Sequence, residues 1–191
     1  MKYLVISDIH GDIYYAKKIE EIIGRENPDK IILLGDLYYN NNFRNIDSEN
    51  NKPKEVAKIL NKYKDIILCT KGNCDRKVDE DISEFNIEEY IVLKINNKDV
   101  FCSHGHIYNS DNVPPIGDIV LYGHFHTGFI KKEYGIVFAS PGTIAFPRGG
   151  SRNSYLIIDN GILILKDVEG NIIDEFLQIR LNNLYRKIKK V

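Results

Sequence analysis

Short apolar runs, each closed by a polar cluster, set the rhythm of the first two thirds of the chain. Residues 3–6, 31–34, 66–68, 100–102 and 119–121 are apolar throughout and mostly β-branched or aliphatic. Runs this short, bounded by Gly and Asp, read as buried strands. After the first run, Ile19, Ile22 and Ile23 recur at helical spacing among charges, and the pattern closes near Gly24 and Pro28. That predicts a β-α-β unit. An Asn-rich polar stretch over residues 38–53 delays the next helix, whose buried face is marked by Val56, Ile59, Leu60 and Tyr63. From Tyr90 onward, strand-like segments are separated by Asn96-Asn97, Tyr134-Gly135, Asn160-Gly161 and Glu169-Gly170, four hairpin candidates. Helices alternating early and hairpins late predict an α/β layered sandwich, mixed sheets packed together with helices outside.

At the end of the chain, Leu177, Leu181, Leu184, Ile188 and Val191 fall on one helical stripe, with Arg180, Arg186, Lys187, Lys189 and Lys190 mostly off it. The expectation is a helical extension over 177–191 that packs on its own domain, residues 1–176, or else forms a dimer contact. Its lysines and arginines suit the C-terminal end of a helix.

The polar clusters that end the strands are Asp8-Ile9-His10, Gly35-Asp36, Gly72-Asn73-Cys74-Asp75, Ser103-His104-Gly105-His106 and Gly123-His124-Phe125-His126, and three of them contain all five histidines of the chain. Strand ends are where open α/β sheets place their ligands. In Asp8-x-His10, alternate residues of an extended strand end would point the same way and reach one ion together. Asp36 has two carboxylate oxygens and could bridge two ions; Asn73 offers a carbonyl oxygen; His104, His124 and His126 offer nitrogens. Seven ligands exceed one tetrahedral zinc and suit two ions. Mixed oxygen and nitrogen donors without thiolate favour Mn, Fe, Zn or Ni. Two such ions can clamp a phosphoryl group and generate hydroxide, so hydrolysis of a phosphate ester is expected. Asp12, two residues beyond His10, reads as a helix cap.

Length and charge narrow the picture. The chain has 191 residues, enough for one domain with a sizeable core, and a net charge of -1. No global field attracts nucleic acid or a membrane, so local charge must hold an anionic substrate. Cys69, Cys74 and Cys102 form no C-x-x-C pair, which fits a reducing cytoplasm. No apolar stretch approaches a signal-peptide core or a membrane span.

The ordered set D-x-H, G-D, G-N-x-D, H and G-H-x-H resembles the calcineurin-like metallophosphoesterase superfamily. Gly72-Asn73-Cys74-Asp75 and Ser103-His104-Gly105-His106 are similar to the small bacterial phosphodiesterases of the YfcE type, and the likeness extends through Ser140-Pro141-Gly142-Thr143 and Pro147-Arg148-Gly149-Gly150 to about Phe176. The resemblance implies a four-layer α-β-β-α sandwich, with Asp8, His10, Asp36 and His126 around one ion and Asp36, Asn73, His104 and His124 around the other, Mn foremost. It also implies a phosphodiesterase that acts through a metal-bound hydroxide on a small diester or nucleotide.

One departure bears on the chemistry: most members of the superfamily carry histidine where this chain has Cys74. A thiol can donate a proton but carries no charge with which to hold a phosphate oxygen, so Cys74 either takes part weakly or fills space. His106 either contacts the phosphate or shapes its turn, and Asp75 orients Cys74 or a ligand. Arg44, in the Asn-rich stretch, and Arg148 are the arginines whose surroundings suggest a phosphate contact, with a solvated loop charge as the other reading of each. No basic tract suits a nuclease on long duplex, nor sequence-specific nucleic-acid binding. Phosphomonoesterase, nuclease and a retromer-like scaffold remain as rivals on the same fold, and a homodimer is an open expectation.

Overall fold

A computed structural model describes residues 1–39 and 49–177. The larger sheet contains β1 (Lys2–Ile6), β2 (Lys30–Leu33), β3 (Ile67–Thr70), β4 (Ile87–Glu88), β10 (Ser154–Asp159), β11 (Ile162–Asp167) and β12 (Ile172–Leu177), in the order β12-β11-β10-β1-β2-β3-β4. The smaller contains β5 (Ile91–Ile95), β6 (Lys98–Cys102), β7 (Ile119–Leu121), β8 (Gly128–Glu133) and β9 (Ile136–Pro141), in the order β5-β6-β7-β9-β8. Both sheets are mixed. Strands β1 to β4 run parallel, as do β6, β7 and β9, while the remaining pairs are antiparallel.

Alternation along the strands assigns the core. Leu4 and Ile6 of β1, Ile31 and Leu33 of β2, and Tyr155 and Ile157 of β10 face helices α1 (Ile13–Glu26) and α2 (Pro53–Asn61). Their neighbours Tyr3, Val5, Ile32, Leu156 and Ile158 face the smaller sheet, against Val100, Ile119, Leu121 and Val137. Burial on both faces explains why β1 and β2 read as unbroken apolar runs. On the outer face of the smaller sheet, Phe101, Val120, Tyr122 and Phe138 are covered in part by Tyr108 from the irregular segment 103–118. Among the described residues no helix lies there, so the helices of the sandwich flank the larger sheet.

Asp12 caps α1 as expected, its carboxylate accepting the Tyr15 N–H at 3.1 Å. The helix runs through Gly24 to Glu26 and ends where Asn27 turns left-handed, its N–H bonded to the Ile23 carbonyl. The left-handed residue rather than the glycine ends the helix. All four hairpin candidates join antiparallel strands. Both central residues of the turns at Asn96-Asn97, Tyr134-Gly135 and Asn160-Gly161 have positive φ, as tight two-residue turns require. No helix among the described residues is long and apolar enough to cross a membrane. Arg44 and the expected helical stripe beyond Leu177 lie outside the described residues.

Leu156 is fully buried between the sheets. Leu156→Ala should lower unfolding free energy by about 3 kcal/mol, read as a reduced urea midpoint with unchanged slope. A loss under about 1 kcal/mol would show that the sheets repack around it.

Candidate metal centre

The parallel strands of both sheets deliver their polar ends to one edge. Asp8 and His10 follow β1, Asp36 follows β2, Asn73 follows β3, His104 follows β6, and His124 and His126 follow β7. Beyond the strand ends the first two loops stay laced together, Asp8 N–H to the Gly35 carbonyl at 3.1 Å and His10 N–H to the Asp36 carbonyl at 2.9 Å. Asp8 and His10 do not share a side through strand pleating, as the extended reading expected. β1 has ended at Ile6, and both residues sit in the left-handed region, with φ of 58° and 51°. Asp36, His124 and His126 are left-handed too, at 55°, 67° and 60°. Such conformations cost on the order of 1 kcal/mol or more each outside glycine and cluster at functional sites.

Two glycines allow the loops to meet. A Cβ on Gly72 would overlap Asp36 Oδ1, and one on Gly123 would overlap Ser7 Oγ and stand 2.8 Å from Asp8 Oδ2.

Each carboxylate divides its labour. Asp8 Oδ2 accepts the His124 backbone N–H at 3.1 Å, and Asp36 Oδ1 accepts the Cys74 N–H at 2.8 Å. The other oxygens face the histidines: Asp8 Oδ1 lies 3.2 Å from His126 Nε2 and 3.6 Å from His10 Nε2, and Asp36 Oδ2 lies 3.4 Å from His104 Nε2 and 3.8 Å from His10 Nε2. Asp8 Oδ1 is buried and accepts no hydrogen bond.

Three histidines divide their labour likewise. The Nδ1 of His10 faces the Tyr39 carbonyl at 2.9 Å, that of His104 the Leu34 carbonyl at 2.6 Å, and that of His126 the Phe146 carbonyl at 2.7 Å. A carbonyl only accepts, so each Nδ1 carries a proton and each neutral ring turns the Nε2 lone pair inward. His10 Nε2 and His126 Nε2 stand 3.3 Å apart, and His104 Nε2 stands 3.0 Å from Asn73 Oδ1. The His124 ring packs edge-on to His104, centroids 5.1 Å apart. With the rings neutral, six acceptor atoms thus converge, and a donor arises only where an imidazole takes a second proton, as His104 does below pH about 9. Ligand atoms of Asp8, His10 and His126, of Asp8, Asp36 and His104, and of His10, Asp36 and Cys74 all fall within 4.8 Å of one another in each set. These donors fit divalent cations, with Asp36 Oδ2 set between the two histidine groups.

Electrostatics point the same way. Burial would lower the His104 imidazole, yet bonding to Asp36 and the charge of Asp8 outweigh it and raise its pKa to about 9. His10 is raised against burial chiefly by Asp8. Burial would raise the Asp8 carboxyl, but His10 and His126 hold it well below the usual range, and His104 does the same for Asp36. Carboxylates ionised and imidazoles raised describe a pocket that demands positive charge.

The other expected residues divide. Asp75 does not face the cluster: its buried carboxylate accepts the N–H groups of Asp36, Leu37 and Gly72 at 2.8, 2.9 and 2.8 Å. Those oxygens clamp the Asp36 loop to the Gly72 turn, so Asp75 acts on the cluster by orienting the backbone of Asp36. Cys74 Sγ lies beside His10 and Asp36, and burial together with Asp36 pushes its thiol up to about 12. His106 is exposed at the rim, ring centroids 5.5 Å from His104 and 6.3 Å from His124, and burial and then His104 lower its pKa. Arg148 is exposed, its N–H bonded to the His126 carbonyl at 3.2 Å. Thr143 was not singled out by residue type, yet its buried hydroxyl donates to the Asp8 carbonyl at 2.9 Å and accepts the N–H groups of Ala145 and Phe146. A buried threonine after Ser140-Pro141-Gly142 was the available signal.

Comparison with known proteins identifies the family. A family model for the calcineurin-like phosphoesterase superfamily domain matches residues 1–161. Phosphodiesterase YfcE of Escherichia coli K12 is 30% identical over 166 residues, 85% of this chain and 90% of that protein. Phosphodiesterase MJ0936 of Methanocaldococcus jannaschii is 27% identical over 155 residues, 74% of this chain and 83% of that one. The solved structure of E. coli YfcE, a phosphoesterase, matches with a TM-score of 0.87 at 27% identity, over 93% of this chain and 99% of that one. Vps29 of Cryptosporidium parvum, at TM-score 0.60 and 18% identity over 93% of this chain and 98% of that one, shares the fold.

A cation must displace the proton that His104 holds up to pH about 9. Titrating Mn into chelator-treated protein at pH 7.5, in buffers of different ionisation enthalpy, should therefore show net proton release, and apparent affinity should fall by up to about tenfold for each pH unit below 9. Binding enthalpy independent of buffer at pH 7.5 would place the cation elsewhere.

Proposed function

The chain belongs to the calcineurin-like phosphoesterase superfamily, and from that membership we propose that it is a two-metal phosphodiesterase acting on a small phosphate diester or nucleotide. The observation that carries the reading is the convergence of Asp8 Oδ1, Asp36 Oδ2 and three histidine Nε2 atoms, all acceptors, on one buried locus. Asp8, His10, Asp36 and His126 would hold one cation, and Asp36, Asn73, His104 and His124 the other. Mn suits these donors, as do Fe, Zn and Ni. When bound, the cations supply Lewis acidity toward the phosphoryl oxygens, a lowered pKa for a coordinated water, and charge to balance the developing oxyanions.

The protein's own groups do the rest. Asp36, its backbone N–H held by Asp75 and its Oδ1 by Cys74, keeps one oxygen between the two histidine sets. Cys74 remains a thiol through neutral pH and can donate a proton but not hold an anion by charge. His106, at the rim and lowered in pKa, is neutral near pH 7 and placed to exchange a proton with the leaving group or to bond a phosphoryl oxygen. Arg148 stands on the His126 side, where a guanidinium can fork onto phosphate; Arg44 is kept as a second such group. The three cysteines, unpaired in the structure, suit a cytoplasmic setting.

The complete ligand set favours an enzyme over a binding scaffold. Chelator-treated protein should not hydrolyse bis-p-nitrophenyl phosphate, added Mn should restore turnover, and Asp36→Asn should reduce kcat by about 100-fold or more with the thermal transition preserved. Turnover insensitive to chelation and to Asp36→Asn would remove the metal reading.

A further inference from the structure

The loop that carries Asn73 and Cys74 ends in Arg76, which no motif of the sequence marks. Its guanidinium carbon lies 3.7 Å from the centroid of the Tyr39 ring. The carbonyl of that same Tyr39 receives the His10 Nδ1 proton at 2.9 Å. Arg76 is thus tied to the cluster from two directions, two residues along the chain from Cys74 and one tyrosine away from His10. The side chain is exposed, and among the described residues its guanidinium makes no ion pair. The Arg76 backbone is independently fixed, its N–H donating to Asp79 Oδ2 at 2.7 Å at the start of α3 (Lys77–Ile82).

An arginine stacked on an aromatic face has lost most of its rotamer freedom while its N–H edge still points to solvent. The neighbouring Cys74 thiol carries no charge, so Arg76 brings the positive charge to this side of the rim. Arg76 meets the cluster through Tyr39 and not through a ligand side chain, which suits a group further along the same substrate.

We infer that Arg76, seated on Tyr39, forms a subsite for a second anionic group, a phosphate or carboxylate, on a substrate whose phosphodiester lies at the cluster. This rests on the phosphodiesterase reading above and narrows it to polyanionic esters such as a nucleotide with an additional phosphate. Arg76 is here a specificity residue, outside the reacting atoms.

Binding separates the subsite from turnover. In calorimetry on Mn-loaded protein, thymidine 3′,5′-bisphosphate should bind about tenfold more tightly than thymidine 5′-monophosphate. Arg76→Ala should abolish that preference, and Arg76→Lys, which keeps the charge but loses the stacked fork, should restore only part of it. Affinity for thymidine 5′-monophosphate, which has no second anion, should change far less in Arg76→Ala than affinity for the bisphosphate. Equal affinity for the two nucleotides in the wild type, or a preference that survives in Arg76→Ala, overturns the subsite even where bis-p-nitrophenyl phosphate is turned over. A preference lost in Arg76→Ala upholds the subsite even where the wild type fails to hydrolyse the diester, and that failure would count against the phosphodiesterase reading alone.

Discussion

Lone pairs aimed at one another are the constraint on which the rest depends. Asp8 Oδ1, Asp36 Oδ2, Asn73 Oδ1 and the Nε2 atoms of His10, His104 and His126 approach within 3.0 to 3.8 Å of their neighbours. In a buried setting such an arrangement is repulsive until protons or cations stand between the groups. The backbone removes the easy remedy, because three carbonyls hold the Nδ1 protons and fix the rings. What remains is a pocket built to take up positive charge.

The fold makes that arrangement possible at a cost. Five of the seven candidate ligand residues sit in left-handed backbone that ordinary residues avoid, a strain of about 5 kcal/mol or more in total. Two packed sheets, Asp75 with its three backbone hydrogen bonds and Thr143 beneath Asp8 hold the loops where isolated chain would not stay. Gly72 and Gly123 matter for contact, since any side chain there would enter the space of Asp36 or Asp8. Stability in the sheets is thus spent on precision at their edge.

β1 and β2 were legible because both their faces are buried, which leaves an unbroken apolar run that few other structures produce. The hairpins were legible because Asn96-Asn97 and Asn160-Gly161 are among the few pairs that accept positive φ twice. The ligand types were legible because histidine and aspartate have little other reason to end so many strands. The means of bringing them together was not. Asp8 and His10 meet through two left-handed residues, a conformation that no residue pattern announces in Asp and His. The partners of their rings are main-chain carbonyls, which carry no residue identity at all. Which groups Asp75 orients was not legible either, because its partners are three main-chain N–H groups. Arg76 was hidden for a similar reason, since its stacking partner Tyr39 is distant in sequence and aromatic side chains rarely advertise which cation they will meet.

Anomalous diffraction at the Mn absorption edge, from crystals grown with Mn, tests the central claim most directly. Two peaks are expected, one among Asp8, His10 and His126 and the other among Asn73, His104 and His124, with Asp36 contributing to both. A single peak, or peaks remote from Asp36, would contradict it.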